Sequence, residues 1–351
     1  SIEDINTALG DKGIDLAALR RIDAGHFAGS EEAFRHWDGE GVVPASCVKC
    51  HTAEGLPFFL QEGVNVSAPP SNGLTCVTCH DSLTDFTIYE IETVKFPSGA
   101  QIASGDPATN VCMQCHQGRE STYSIRDLAQ GLDADSTSEK LRFLNVHYFA
   151  AGATRFGTQA KGAYEYEGKE YNGFFAHPEP FVNCTQCHET HGLRVREEDC
   201  AMCHAGVEEE GLESIRMKTT DYDGDGDTSE GVKDEIATMH QALYAALQTY
   251  ASEVVGTPIV YSAQNYPYFF VDVDGDGVAG PDEAAFPNAY ANWTPRLLRA
   301  AYNYQYVAKD PGVFAHNPGY IMQVLYDALE DLADKVTVDM DGMVRPEVIV
   351  P

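Results

Sequence analysis

Ten cysteines fall into five pairs, each with two residues between its members and a histidine directly after the second. The runs are Cys47-Val48-Lys49-Cys50-His51, Cys76-Val77-Thr78-Cys79-His80, Cys112-Met113-Gln114-Cys115-His116, Cys184-Thr185-Gln186-Cys187-His188 and Cys200-Ala201-Met202-Cys203-His204. Two thioethers at this spacing fix the edge of a porphyrin to one turn of backbone, and the adjacent histidine then meets the iron from one side without a search. Paired cysteines also serve zinc and iron–sulfur sites, but those need no histidine in the same place five times out of five. The pairs consume every cysteine, so no thiol is left for a disulfide.

The motifs, spanning residues 47 to 204, resemble those of the multihaem c-type cytochromes, a group that includes periplasmic electron carriers and extracellular cytochrome filaments. Flanking phrases are similar too: Gly25-His26-Phe27 through His36-Trp37, and Asn303-Tyr304 through His316-Asn317-Pro318. The resemblance implies five haem c groups and a mostly α fold, haem-cored, with extensive loops and a few short β-hairpins. Motif starts are separated by 29, 36, 72 and 16 residues, so the last two haems sit on a very short tether and must be close neighbours.

Seven of the twelve histidines lie outside the motifs, and five are needed if every iron carries a second axial ligand. His191 ranks first, because three residues after His188 it projects away from its own haem and toward a neighbouring one. His147 ends an apolar run from Leu141 that could wall a porphyrin face. His177 and His316 share an aromatic-Ala-His setting in rigid turns. His26 takes the fifth place through the similarity of its Gly-His-Phe phrase to family members, with His36 in reserve or packed beside Trp37. His240 is also a reserve, since its surroundings have helical periodicity and suit a helix-face residue.

The elements that position these residues divide the chain in two. Residues 1–205 form a haem region that opens with short helices over residues 1–46, and alternation with turn residues marks hairpins over 86–102 and 163–172. Residues 206–351 form a helical lobe, with helices near 230–252, 294–308 and 318–335. If His316 ligates a haem, this lobe packs against the haem region.

Two acidic loops lie in the lobe. The second fits an EF-hand-type calcium loop, with Asp272, Asp274, Asp276, the Val278 carbonyl and Glu283 at ligand positions and Gly277 at the turn. The first offers Asp221, Asp223, Asp225 and Asp227 but has Val232 where the closing glutamate belongs. One or two calcium ions are therefore expected.

Lys plus Arg number 23 against 54 Asp plus Glu, a formal charge of -31 that argues against nucleic acid or anionic lipid as partners. No apolar run is long enough to cross a bilayer. Covalent haem attachment happens outside the cytoplasm, so the expected location is extracellular, at the cell surface or periplasmic, after removal of an export signal. The partners expected are redox proteins or extracellular electron acceptors.

The function read from these residues is electron transfer, by a soluble carrier or by a filament subunit in which a spare histidine ligates a haem of the next subunit. The runs Val336-Thr337-Val338 and Val348-Ile349-Val350 could add strands to such a neighbour. The rival is a multihaem reductase with one open iron acting on nitrite, hydroxylamine or a sulfur compound. No motif ends in lysine and histidines suffice to close five sites, which favours the carrier. A calcium-dependent scaffold comes last, because it leaves the haems idle.

Overall fold

A computed structural model describes His26 and residues 31–349. They are mostly helical, with long loops and three two-stranded sheets. Of the short helices expected over residues 1–46, those before residue 31 fall outside the described residues, and from 31 on the chain forms one helical turn, Glu31–Arg35, and the start of helix Ala45–His51. None of the described helices is long and apolar enough to cross a membrane.

The chain forms two compact units, one of Ser1–Tyr89 with His188–Arg194 and the other of Glu90–Cys187 with Val195–Pro351. In the first, the helices Ala45–His51, Gly55–Glu62 and Cys76–Cys79 surround buried Phe34, Val43, Val48 and Leu56. Thr78 Oγ1 donates to the Ala53 carbonyl at 2.8 Å, tying the second motif to the turn that follows the first.

The second unit is organised by helices Val232–Tyr250, Pro295–Ala308 and Pro318–Ala333, close to the spans the periodicity predicts. Two of them start with an acceptor side chain followed by proline: Thr294 Oγ1 accepts from Leu297 N at 3.1 Å, and Asn317 Oδ1 from Tyr320 N at 3.1 Å. Leu243, Leu247, Leu325 and Leu329 are fully buried between the helices. Buried tyrosines need a partner for each hydroxyl, and here they reach the loops. Tyr302 donates to the Gly162 carbonyl at 2.7 Å and Tyr250 to Asp135 at 2.8 Å.

These same helices overturn one expected hairpin. Residues 163–172 turn at Gly168 but form no ladder, because side chains take their backbone groups. Asn303 bonds both the N–H and the carbonyl of Tyr164, at 2.7 and 3.0 Å, and Gln323 accepts from Asn172 N at 2.8 Å. The other hairpin is shorter than expected, with Val94–Lys95 pairing Gln101–Ile102. Residues 86–89 bond back to the second motif instead, Asp81 N to the Thr87 carbonyl and Tyr89 N to that of Cys79. Neither C-terminal valine run forms a strand among the described residues.

Candidate haem and metal centres

The motif residues sit on single helical turns, where positions i, i+3 and i+4 share a face. His80 N, His116 N and His204 N donate to the carbonyls of Cys76, Cys112 and Cys200 at 2.9, 3.0 and 3.0 Å, so each turn presents two sulfurs and an imidazole together. In the second unit the motifs adjoin: Cys184 hydrogen-bonds Cys112, and Cys187 lies close enough to Cys200 for its charge to be felt.

Three motif imidazoles are oriented by backbone. Nδ1 of His51 meets the Ala33 carbonyl at 2.6 Å, that of His80 the Phe86 carbonyl at 2.9 Å, and that of His116 the Phe149 carbonyl at 3.0 Å. A carbonyl can only accept, so Nδ1 carries the proton and Nε2 is left basic for a metal. Phe86 and Phe149 have φ of 54° and 35°, a left-handed conformation unusual for phenylalanine. Strain of this kind concentrates at sites that use the backbone, and motif spacing gave no sign of either residue.

Two of the expected second ligands face a motif histidine. The rings of His80 and His191 have centroids 6.3 Å apart and planes 16° from parallel. Those of His177 and His204 are 6.1 Å apart at 54°. An iron bonded at about 2 Å to one nitrogen of each ring spaces ring centres by roughly 6 Å, so both pairs fit a bis-imidazole iron. His116 is close enough to His316 for their charges to interact, and burial is what chiefly lowers its pKa.

His316 has a carboxylate partner that spacing did not reveal. Its Nδ1 lies 2.9 and 3.0 Å from the two oxygens of Asp310, which is 1% exposed. Burial pulls the imidazole pKa down, but the charge and hydrogen bond of Asp310 outweigh it and leave it raised. The ring also packs directly on Gly312, where a Cβ would come within 2.6 Å.

The remaining histidines are placed differently. The His26 carbonyl accepts from Leu74 N at 2.7 Å, just before the second motif. His147 has φ 75° and its N–H meets Asn145 Oδ1 at 2.9 Å. His36 is exposed with its ring edge-on to Trp37 at 4.8 Å. His240 has Nε2 on the Tyr304 carbonyl at 2.9 Å and stacks on that ring at 4.1 Å, with burial holding its pKa down at about 4.

Both acidic loops gather carboxylates. In the second, oxygens of Asp272, Asp274, Asp276 and Glu283 lie within 4.8 Å of one another. Gln248 Nε2 donates to the Gly277 carbonyl at 2.8 Å and anchors this loop to helix Val232–Tyr250. Val278, whose carbonyl was the expected ligand, has an exposed side chain and donates its N–H to Asp276 at 2.8 Å. In the first loop Asp221 and Asp223 converge with Glu235, and Asp223 and Asp225 with Glu230. Asp227 turns its carboxylate to Ser229 and belongs to neither group. Burial pushes Asp223 up to about 6, and burial with the Asp223 charge pushes Glu230 up to about 7.

Over 87% of its length the chain is 26% identical to the C-type polyheme cytochrome OmcB of Geobacter sulfurreducens, covering 46% of that protein. It is 25% identical over 86% of its length to OmcC of the same organism, covering 44% of that protein. The chain thus spans about half the length of the relatives it matches. No protein-family model matches it, and no solved structure does. These likenesses bear out the resemblance to multihaem c-type cytochromes carried by the five motifs.

Proposed function

We propose that this chain is an electron carrier that holds five haem c groups, each with one imidazole on either face of its iron. Haem c supplies a one-electron iron couple. The chain's residues do the rest. Ten cysteines fix the porphyrin edges, His51, His80, His116, His188 and His204 take one face, and His26, His147, His177, His191 and His316 take the other. With both faces closed, a change of oxidation state needs little rearrangement and no substrate can reach the metal, which favours transfer over catalysis.

The observation that carries this reading is the His80–His191 pair, two near-parallel rings 6.3 Å apart contributed by residues 111 positions apart in sequence. Reductive titration tests it. The carrier takes up five electrons per chain and returns them to a soluble ferric acceptor. Reduction of nitrite or hydroxylamine at a steady rate, with a high-spin iron, would instead support the multihaem reductase.

Asp272, Asp274, Asp276, Glu283 and the Val278 carbonyl form a structural calcium site in this proposal. The location proposed is outside the cytoplasm, and the partners are redox proteins or extracellular acceptors. A filament is the second assembly state considered. With His240 Nε2 held by Tyr304, six other histidines outside the motifs serve five irons. Electron microscopy of concentrated protein decides it: fibres support a shared ligand, dispersed monomers reject it.

A further inference from the structure

The two acidic loops are tied by the same hydrogen bonds. In the second, Asp272 accepts from Gly275 N and Gly277 N at 2.7 and 3.1 Å, Asp274 from Asp276 N at 3.2 Å, and Asp276 from Val278 N at 2.8 Å. In the first, Asp221 accepts from Gly224 N and Gly226 N at 2.6 and 2.8 Å, Asp223 from Asp225 N at 3.2 Å, and Asp225 from Asp227 N at 2.7 Å. Glu283 closes the second by accepting from Val273 N at 2.6 Å and Asp274 N at 3.4 Å. The corresponding N–H groups of the first, Tyr222 and Asp223, donate at 2.7 and 2.8 Å to Glu235. Glu235 thus does what Glu283 does, three places later than a twelve-residue count expects.

An independent feature points to a ligand. Asp223 is only 4% exposed, and its Oδ2 is buried with no hydrogen-bond donor. Glu230 Oε1 is buried without a donor as well. A carboxylate oxygen in that position is costly unless a cation takes it. Arg216 answers one charge only, meeting Glu235 at 2.5 Å. Oxygens of Asp221, Asp223 and Glu235 lie within 4.8 Å of one another, as do those of Asp223, Asp225 and Glu230.

We infer that the first loop is a second calcium site, with Asp221, Asp223, Asp225, Glu230 and Glu235 as its carboxylate ligands and Glu235 as the closing one. Five carboxylates with carbonyls or water supply the oxygen-only shell of six to eight that calcium takes. The site also has a structural position to secure. Glu235 lies in the first turn of helix Val232–Tyr250, while Gly224 presses on the C-terminal segment. A Cβ on Gly224, at φ 81°, would meet the Asp341 carbonyl and Met343 N at 2.6 Å, and Val344 N donates to the Tyr222 carbonyl at 3.0 Å. A bound ion therefore ties the start of that helix to residues 341–344.

The test is calorimetric titration of the chelator-treated, haem-loaded chain with calcium alone. Wild type takes two ions, Glu235→Gln takes one, Glu283→Gln takes one, and the double variant takes none. A wild type that takes one ion, lost with Glu283→Gln, overturns the inference, as does Glu235→Gln that still takes two. Haem content checks that each variant folds. Should Glu235→Gln fail that check, Asp225→Asn on the exposed rim decides. It weakens one of two sites at least tenfold, and unchanged binding at both overturns the inference. The result for Glu283→Gln bears separately on the second loop, so the two readings fail independently.

Discussion

His191 faces His80 across a ring-centre distance of 6.3 Å, although its own motif histidine is His188, three residues away. In the proposed ligation the histidine that follows one motif serves the iron of another. His191→Ala is expected to leave that iron with a single protein ligand. Electron paramagnetic resonance should then find one high-spin haem and four unchanged; a spectrum identical to wild type would refute the pairing.

Asp310 makes His316 unlike the imidazoles held by backbone carbonyls. A carboxylate on Nδ1 makes the ring a stronger donor and favours ferric iron. Asp310→Asn keeps the shape and removes the charge. One of the five midpoint potentials should rise, by about 60 mV if the ferric preference falls about tenfold. Spectroelectrochemical titration reads the shift, and five unmoved potentials would contradict it.

Acid should weaken the second unit through Asp135. Burial alone would push this carboxyl up, but bonds from Arg296, Lys335 and Tyr250, at 2.7, 2.9 and 2.8 Å, hold it at about 2. A folded value below the unfolded one, about 3.9, means the stabilisation is full above about pH 4 and is lost as pH falls toward 2. It amounts to about 2 kcal/mol. Urea unfolding should find Asp135→Asn less stable than wild type by that order at about pH 6, and the gap should close near about pH 2. A gap that does not depend on pH would rule this out.

The long helices were legible because periodicity and start signals agreed: Thr294-Pro295 and Asn317-Pro318 are cap-plus-proline pairs. The hairpin over 163–172 was not, because its alternation is local while Asn303 and Gln323, far along the chain, hold its backbone. At the candidate sites the cysteines and motif histidines could be read from spacing, since one turn of backbone holds them. Asp310 could not, since nothing local marks the acid six residues before His316. Glu235 was hidden by an insertion of three residues that leaves the hydrogen bonds of the loop intact.

Calcium removal should loosen the second unit. An ion present at about a hundred times its dissociation constant stabilises a fold by about 2.7 kcal/mol. Scanning calorimetry with and without chelator should therefore find a lower Tm for the stripped protein. Glu283→Gln should have a lower Tm in calcium than wild type, and should respond less to the chelator. Equal Tm values in all conditions would leave the second loop without a structural ion.

The most direct measurement is spin quantitation of the oxidised protein beside a pyridine haemochrome count. Five haems per chain, all low-spin ferric with two imidazoles, is the predicted result. Fewer than five, or a dominant high-spin signal, would contradict the account at its base.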